Sequence, residues 1–150
     1  MPEAIDPRRV EVLIDTGVFV AAADTDEPRH RDCAAILDTN WGRIGTTGPV
    51  VAEAAWLIEA RLGPAAETKF LTMAATGTLT VVDLTRADYQ RCIELIGTYH
   101  ELGLGIVDAS LVTIAERLGL RTLATLNTRD FHVVRPSHTK AFELIPTPTS

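Results

Sequence analysis

The order of apolar and polar residues predicts an alternation of strands and helices along the whole chain. Val10-Glu11-Val12-Leu13-Ile14 is short, apolar and β-branched, as a buried strand is. It stops at Asp15-Thr16-Gly17, and Val18 to Ala23 suits a short helix. Pro28 opens a second helical stretch, with Asp26 and Glu27 just before it, where the helix dipole favours acids. Cys33, Ile36 and Leu37 give that stretch an apolar face, and Arg43 to Thr47 is a weak strand. Pro49 to Ile58 reads as a strongly apolar helix ended by Gly63-Pro64, followed by a helix from Ala65 to about Thr76 and a strand over Leu79 to Asp83. Thr85 caps the next helix, with Asp88 placed for a capping box, and that helix runs to about Tyr99. After a turn at Gly103 and Gly105, apolar residues at 107, 111, 114, 115 and 118 mark an amphipathic helix that Gly119 ends. Arg121 to Leu126 is strand-like, residues 127–130 read as a loop, and short strands are expected at His132–Val134 and Phe142–Ile145.

Such alternation predicts an α/β protein with a mostly parallel sheet, helices on both faces and right-handed crossovers. Ligands of such sheets bind beyond the carboxyl ends of the strands. The 150 residues, 46% of them hydrophobic, suffice for one domain with a sizeable core. Residues 1–9 are polar, carry two prolines and read as a loose lead-in. No apolar run approaches a membrane span and the N-terminus lacks the apolar core of a signal peptide, so a cytoplasmic location is expected. With 14 basic and 20 acidic residues the net charge is −6, which argues against coating nucleic acid through bulk charge. Cys33 and Cys92 form no metal-binding pattern and are expected as small core side chains.

The candidate chemistry lies in acids at expensive places. Asp15 ends the apolar strand, where capping the next helix is its ordinary role. Glu53 interrupts an apolar helix on the side of Val50, Trp56 and Leu57, bordering the apolar stripe. Its ordinary alternative is an exposed glutamate. Asp108 sits in a first helical turn, which the dipole already favours, and Asp130 follows a strand in a loop. Taken alone, Asp15 and Asp108 have ordinary helix-end roles and Asp130 is a common loop acid, while Glu53 suits an exposed or a functional role equally. Together they fall where a parallel sheet brings its carboxyl ends together. Carboxylates converging there repel one another, and a hard divalent cation, Mg²⁺ or Mn²⁺, relieves the repulsion. Such an ion also activates water and stabilises charge during phosphate displacement.

Val12-Leu13-Ile14-Asp15-Thr16-Gly17, Glu53 in its alanine-rich helix, Val107-Asp108-Ala109-Ser110-Leu111 and the run from Thr125 to Phe131 resemble the ordered acidic motifs of PIN-domain ribonucleases. Order, spacing and length most resemble the VapC toxins of bacterial toxin–antitoxin pairs, over about Val10 to Pro146. The resemblance implies a three-layer αβα fold with about five mostly parallel strands and a Mg²⁺- or Mn²⁺-dependent endoribonuclease activity. Asp15 and Asp108 match the principal metal-binding aspartates, and Glu53 matches the second acidic motif, which helps hold the metal or orient water. Thr16 matches a small hydroxyl residue that supports the first aspartate. Many relatives carry aspartate where this chain has Asn127, and others pair asparagine there with an acid three positions on, as with Asp130 here. Either residue can complete the cluster, and Asp130 is favoured for its charge. The resemblance further implies a homodimer held inactive by a small VapB-like antitoxin that places a basic side chain near the acids.

RNA phosphates need positive partners. Arg29, His30, Arg31, Arg43, Arg61, Arg121, Arg129 and Arg135 are candidates, most of them ordinary surface charges, and Arg129 is favoured because it neighbours the acids. The histidines show no metal spacing, and Trp41 and Trp56 are expected to pack rather than stack on bases. A haloacid-dehalogenase-type phosphatase also begins with aspartate after an apolar strand, but it needs a second aspartate where Gly17 stands. A non-catalytic binding protein of the same fold is the other alternative. The retained acids argue against it, because their repulsion has no use without a counter-charge.

Overall fold

A computed structural model describes residues 9–148, so residues 1–8 of the expected lead-in lie outside the described residues. Strand β1 (Val12–Ile14) is followed by helices α1 (Thr16–Ala23) and α2 (His30–Thr39), then β2 (Ile44–Thr47), α3 (Gly48–Leu62), α4 (Pro64–Ala75) and β3 (Thr80–Val82). The chain continues through α5 (Arg86–Thr98), a 3-10 turn at His100–Leu102, α6 (Ile106–Leu118), β4 (Thr122–Ala124), α7 (Thr128–Val133) and β5 (Glu143–Ile145). All five strands are parallel, in the order β3-β2-β1-β4-β5. Right-handed crossovers put α1 to α4 on one face and α5 to α7 on the other. The contacts agree: α1 packs on α2 and α3, α3 on α4, and α5 on α6.

Strand order reverses at β1. The chain moves outward through β2 and β3, then returns to β4 on the other side. Beside the carboxyl ends of β1 and β4 the connections leave in opposite directions, and a crevice opens between them. The sheet centre is apolar: Leu13, Ile14, Ile44 and Leu123 are almost wholly buried against Val18, Phe19, Ile58, Leu111 and Ile114. β2 tolerates no side chain at Gly45, where a Cβ would lie 2.6 Å from a Val10 methyl carbon. Gly63, at φ 90°, turns the chain from α3 into α4, and Pro64 then starts α4 without needing a donor. The expected box at the start of α5 is present: Thr85 Oγ1 accepts from Asp88 N–H, and Asp88 Oδ2 accepts from Thr85 N–H. Cys33 and Cys92 are buried and free. No helix among the described residues is long and apolar enough to cross a membrane.

The sequence reading fails over residues 127–134. The expected loop at 127–130 and strand at His132–Val134 are replaced by α7. Asn127 is its N-cap, accepting from Asp130 N–H and donating from Nδ2 to Asp130 Oδ2 at 3.0 Å. Phe131 anchors this one-and-a-half-turn helix in the core, 6.4 Å from the ring of Phe142. Local capping and one buried ring outweigh the β-branched pair Val133-Val134. Neither tryptophan packs as expected, for Trp41 is 57% and Trp56 is 68% exposed. Trp41 borders an apolar concavity of about 550 Å³ between α1, α2 and α4, floored by Phe19, Leu37 and Phe70.

Candidate active site

A wider cleft, about 760 Å³, opens at the switch point. Asp15, Thr16, Glu53, Asp108 and Asn127 line it, with Leu57 and Leu126 as apolar walls. Four elements deliver these residues: the end of β1, the second turn of α3, the first turn of α6 and the N-cap of α7.

Asp15 is buried, at 7% exposure. Its backbone N–H still bonds to Ala124 O at 2.9 Å, so β1 pairs with β4 up to the residue that carries the chemistry. Its carboxylate is gripped on both oxygens. Thr16 N–H donates to Oδ1 at 2.7 Å, and Thr125 Oγ1 donates to Oδ2 at 2.7 Å. Burial pushes the carboxyl above its ordinary value; the Thr125 and Thr16 bonds pull it back, and the charge of Glu53 adds to the rise. Asp15 is thus both the helix cap that its position suggests and a member of the acidic cluster.

Asp108 lies in the first turn of α6 and is partly buried. Burial, then the charges of Asp15, Glu53 and Asp130, push its carboxyl up to about 7. Glu53 is exposed on α3, yet its field reaches both aspartates. The helix that carries Glu53 is registered on α6 by hydroxyls. Ser110 Oγ donates to Val107 O at 2.7 Å, which leaves the Thr47 hydroxyl, at the N-cap of α3, to donate to Ser110 Oγ at 2.6 Å.

Asp130 and Asn127 divide the fourth position. Asn127 lines the cleft, whereas Asp130 stands behind it, bonded to Asn127 Nδ2 and acting on Asp108 through its charge. Arg129 is exposed next to them and makes no ion pair among the described residues. Arg29, Arg43 and Arg61 are engaged with Asp32, Glu11 and Glu27.

The resemblance implies Thr16 as the hydroxyl that supports Asp15, whereas the hydroxyl bonded to Asp15 is that of Thr125. Thr16 contributes its backbone N–H, while its own Oγ1 is buried with no hydrogen-bond partner among the described residues. Thr125 is fully buried, and in the sequence it reads as an ordinary strand residue. Its signal was spacing, two residues before the helix cap at Asn127.

These residues fit a hard divalent ion. The donors are all oxygen, and none of the four acids has a basic partner among the described residues. The orphaned Thr16 hydroxyl adds an unmet polar group beside them. Among the described residues no three acidic, histidine or cysteine side chains stand close enough to enclose an ion directly. An ion held there would take one or two of these carboxylates directly and keep several waters.

Parallel five-stranded sheet, crevice at the reversal and an unpaired acidic cluster define a class, and a family model described as PIN domain matches residues 12–135. The chain belongs to the PIN domain family. Within that family it is 30% identical over 135 residues to Ribonuclease VapC26 of Mycobacterium tuberculosis, covering 90% of this chain and 100% of that one. Its fold is similar to the crystal structure of VapC20 of the same species, a Sarcin-Ricin loop cleaving toxin, with TM-score 0.69 and 18% identity over 75% of this chain and 86% of that chain. It is also similar to a chain of VapBC2 from Rickettsia felis, solved bound to a DNA fragment from their promoter, with TM-score 0.64 and 17% identity over 90% of this chain and 98% of that chain.

Proposed function

We propose that this chain is a divalent-metal-dependent endoribonuclease, the toxin of a type II toxin–antitoxin pair, and that it hydrolyses RNA phosphodiester bonds in the acidic cleft. The observation that carries the reading is the cleft's uncompensated charge: Asp15, Glu53, Asp108 and Asp130 share one field without a basic partner among the described residues, and Asp108 is pushed up to about 7. Asp15 and Asp108 would hold Mg²⁺ or Mn²⁺. Bound there, the ion supplies Lewis-acid stabilisation of phosphate charge and a more acidic water.

The chain's own residues do the rest. Glu53, exposed at the rim, orients water and accepts its proton. Asn127 offers an amide at the cleft wall, and Asp130 holds that amide in place. Arg129 contacts a neighbouring RNA phosphate and carries no sequence information by itself. Leu57 and Leu126 narrow the water-filled space around the reacting phosphate. The single-domain organisation, the cytoplasmic site of action and the homodimer belong to the same proposal. Tyr89 and Ile93, both exposed and one turn apart on α5, offer apolar surface for self-association. The partner is a VapB-like antitoxin, supported by the likeness to a VapBC complex, and its inhibitory group is a cation set against the acids.

The test is cleavage of total RNA by antitoxin-free protein. Cleavage is expected with Mg²⁺ or Mn²⁺, none with excess EDTA, and recovery when the ion is restored. Equal cleavage in EDTA overturns the metal assignment.

A further inference from the structure

We propose that Thr125 is a positioning residue: its hydroxyl, carried one residue past the end of the strand next to β1, fixes the Asp15 carboxylate in the orientation that receives the divalent ion. The inference rests on the reading of Asp15 as an ion ligand, and it adds a residue outside the acidic set.

A threonine hydroxyl has one hydrogen and two acceptor lone pairs. Thr125 Oγ1 accepts from Asn127 N–H at 2.9 Å, so that backbone group sets the direction of the hydroxyl. Its one hydrogen goes to Asp15 Oδ2 at 2.7 Å. The bond is charge-assisted and buried, which strengthens it. The Thr125 backbone is held by Ile145 O at 2.8 Å, and its fully buried side chain is oriented by the two Oγ1 bonds.

Geometry then assigns the role. Thr16 N–H fixes Oδ1 from the start of α1, and Thr125 fixes Oδ2 from the end of β4. A carboxylate held at both oxygens cannot swing about its side-chain torsions. One lone-pair direction on each oxygen is used, and the others remain for the cleft that Asp15 lines. The same hydroxyl stabilises the ionised carboxylate against burial. An ion ligand must be charged and correctly aimed before the ion arrives, and outer partners of this kind contribute about ten- to a hundred-fold to metal affinity. Thr125 also joins the two halves of the crevice, because Asn127, its donor, is the N-cap of α7.

The test compares full-length, antitoxin-free protein with Thr125→Val, Thr125→Ser and Asp15→Asn, reading Mn²⁺ affinity by calorimetry and by electron paramagnetic resonance of free Mn²⁺. Val keeps the shape and removes the hydroxyl. Its Mn²⁺ dissociation constant is expected to rise about ten-fold or more, with Ser restoring affinity to within a few-fold of wild type. RNA cleavage in Thr125→Val should recover in part as Mn²⁺ is raised, so the loss appears mainly in the ion concentration needed. A Val variant with lowered melting temperature and unchanged Mn²⁺ affinity overturns the proposal, since that is what a purely structural threonine gives. If Val does not fold, Thr125→Ala, which leaves room for a water, is read the same way, and wild-type Mn²⁺ affinity in Ala overturns the proposal. Asp15→Asn separates the two readings. If it binds Mn²⁺ like wild type, the ligand assignment of Asp15 fails; if it loses Mn²⁺ while Thr125→Val keeps it, the positioning role fails alone.

Discussion

Helix α1 borders two concavities that obey opposite rules. Its side, through Phe19 and Ala22, helps form the apolar concavity with α2 and α4. Its N-terminus, through Thr16 and Gly17, helps form the acidic cleft. The first is shape made by packing: the Phe19 and Phe70 rings stand 5.0 Å apart and tilted, and both are buried. Removing surface there costs stability. The second is charge held in place against its own repulsion. Buried or crowded carboxylates destabilise the metal-free fold, and the fold keeps them by hydrogen-bonding Asp15 on both oxygens. Substitutions should therefore separate cleanly, with stability lost at one concavity and activity lost at the other.

The largest expected effect is at the cleft. Asp108→Asn or Asp15→Asn should lower single-turnover RNA cleavage at least a thousand-fold, about 4 kcal/mol in barrier, with the circular dichroism spectrum unchanged. Wild-type cleavage by Asp108→Asn would erase the contrast altogether. Next, Phe70→Ala should cost about 3–4 kcal/mol in urea unfolding while the folded fraction cleaves RNA normally. A loss of activity without a loss of stability would show that the two concavities are coupled.

A smaller effect turns on pH. The Asp108 carboxyl is held at about 7 in the fold against 3.8 ordinarily. A carboxyl raised by folding binds its proton more tightly in the native state, so stability falls as pH rises from about 4 to 7 and the penalty is complete above 7. Asp108→Asn removes the penalty. It should stabilise metal-free protein at pH 8 by about 2 kcal/mol, discounted for partial solvent exposure, and change little at pH 4. Thermal melts at both pH values in EDTA decide this, and equal shifts at the two would deny the charge its role. Smallest of all, Arg129→Ala should raise KM a few-fold with kcat nearly constant and flatten the salt dependence of RNA binding by about one unit of slope.

Much of this contrast is legible in the sequence. The strands at 12–14 and 122–124 are short and buried at Leu13 and Leu123, so their parallel pairing and the crevice beyond them follow from the alternation of elements. Asp15, Glu53 and Asp108 stand out because acids are costly beside apolar runs. Thr125 did not stand out, since a threonine in a strand is what β-propensity predicts and its bond partner lies 110 residues away. Residues 127–130 misled for a related reason. Asn127 with Asp130 three positions on is a cap pattern, but so short a helix gives no periodicity to confirm it. The tryptophans misled because helical spacing shows which residues share a face, and it does not show whether another element covers that face. At Trp56 none does.

The pairing of β1 with β4 has a consequence for the newly made polypeptide. The hydroxyl that fixes Asp15 is synthesised 110 residues after it and reaches it only once β4 has joined the middle of the sheet. Such distant closure is slow compared with forming a local hairpin or helix. Until β4 is made and paired, a growing chain carries Asp15, Glu53 and Asp108 without the frame that aims them, so the acids are synthesised before the hydroxyl that orders them.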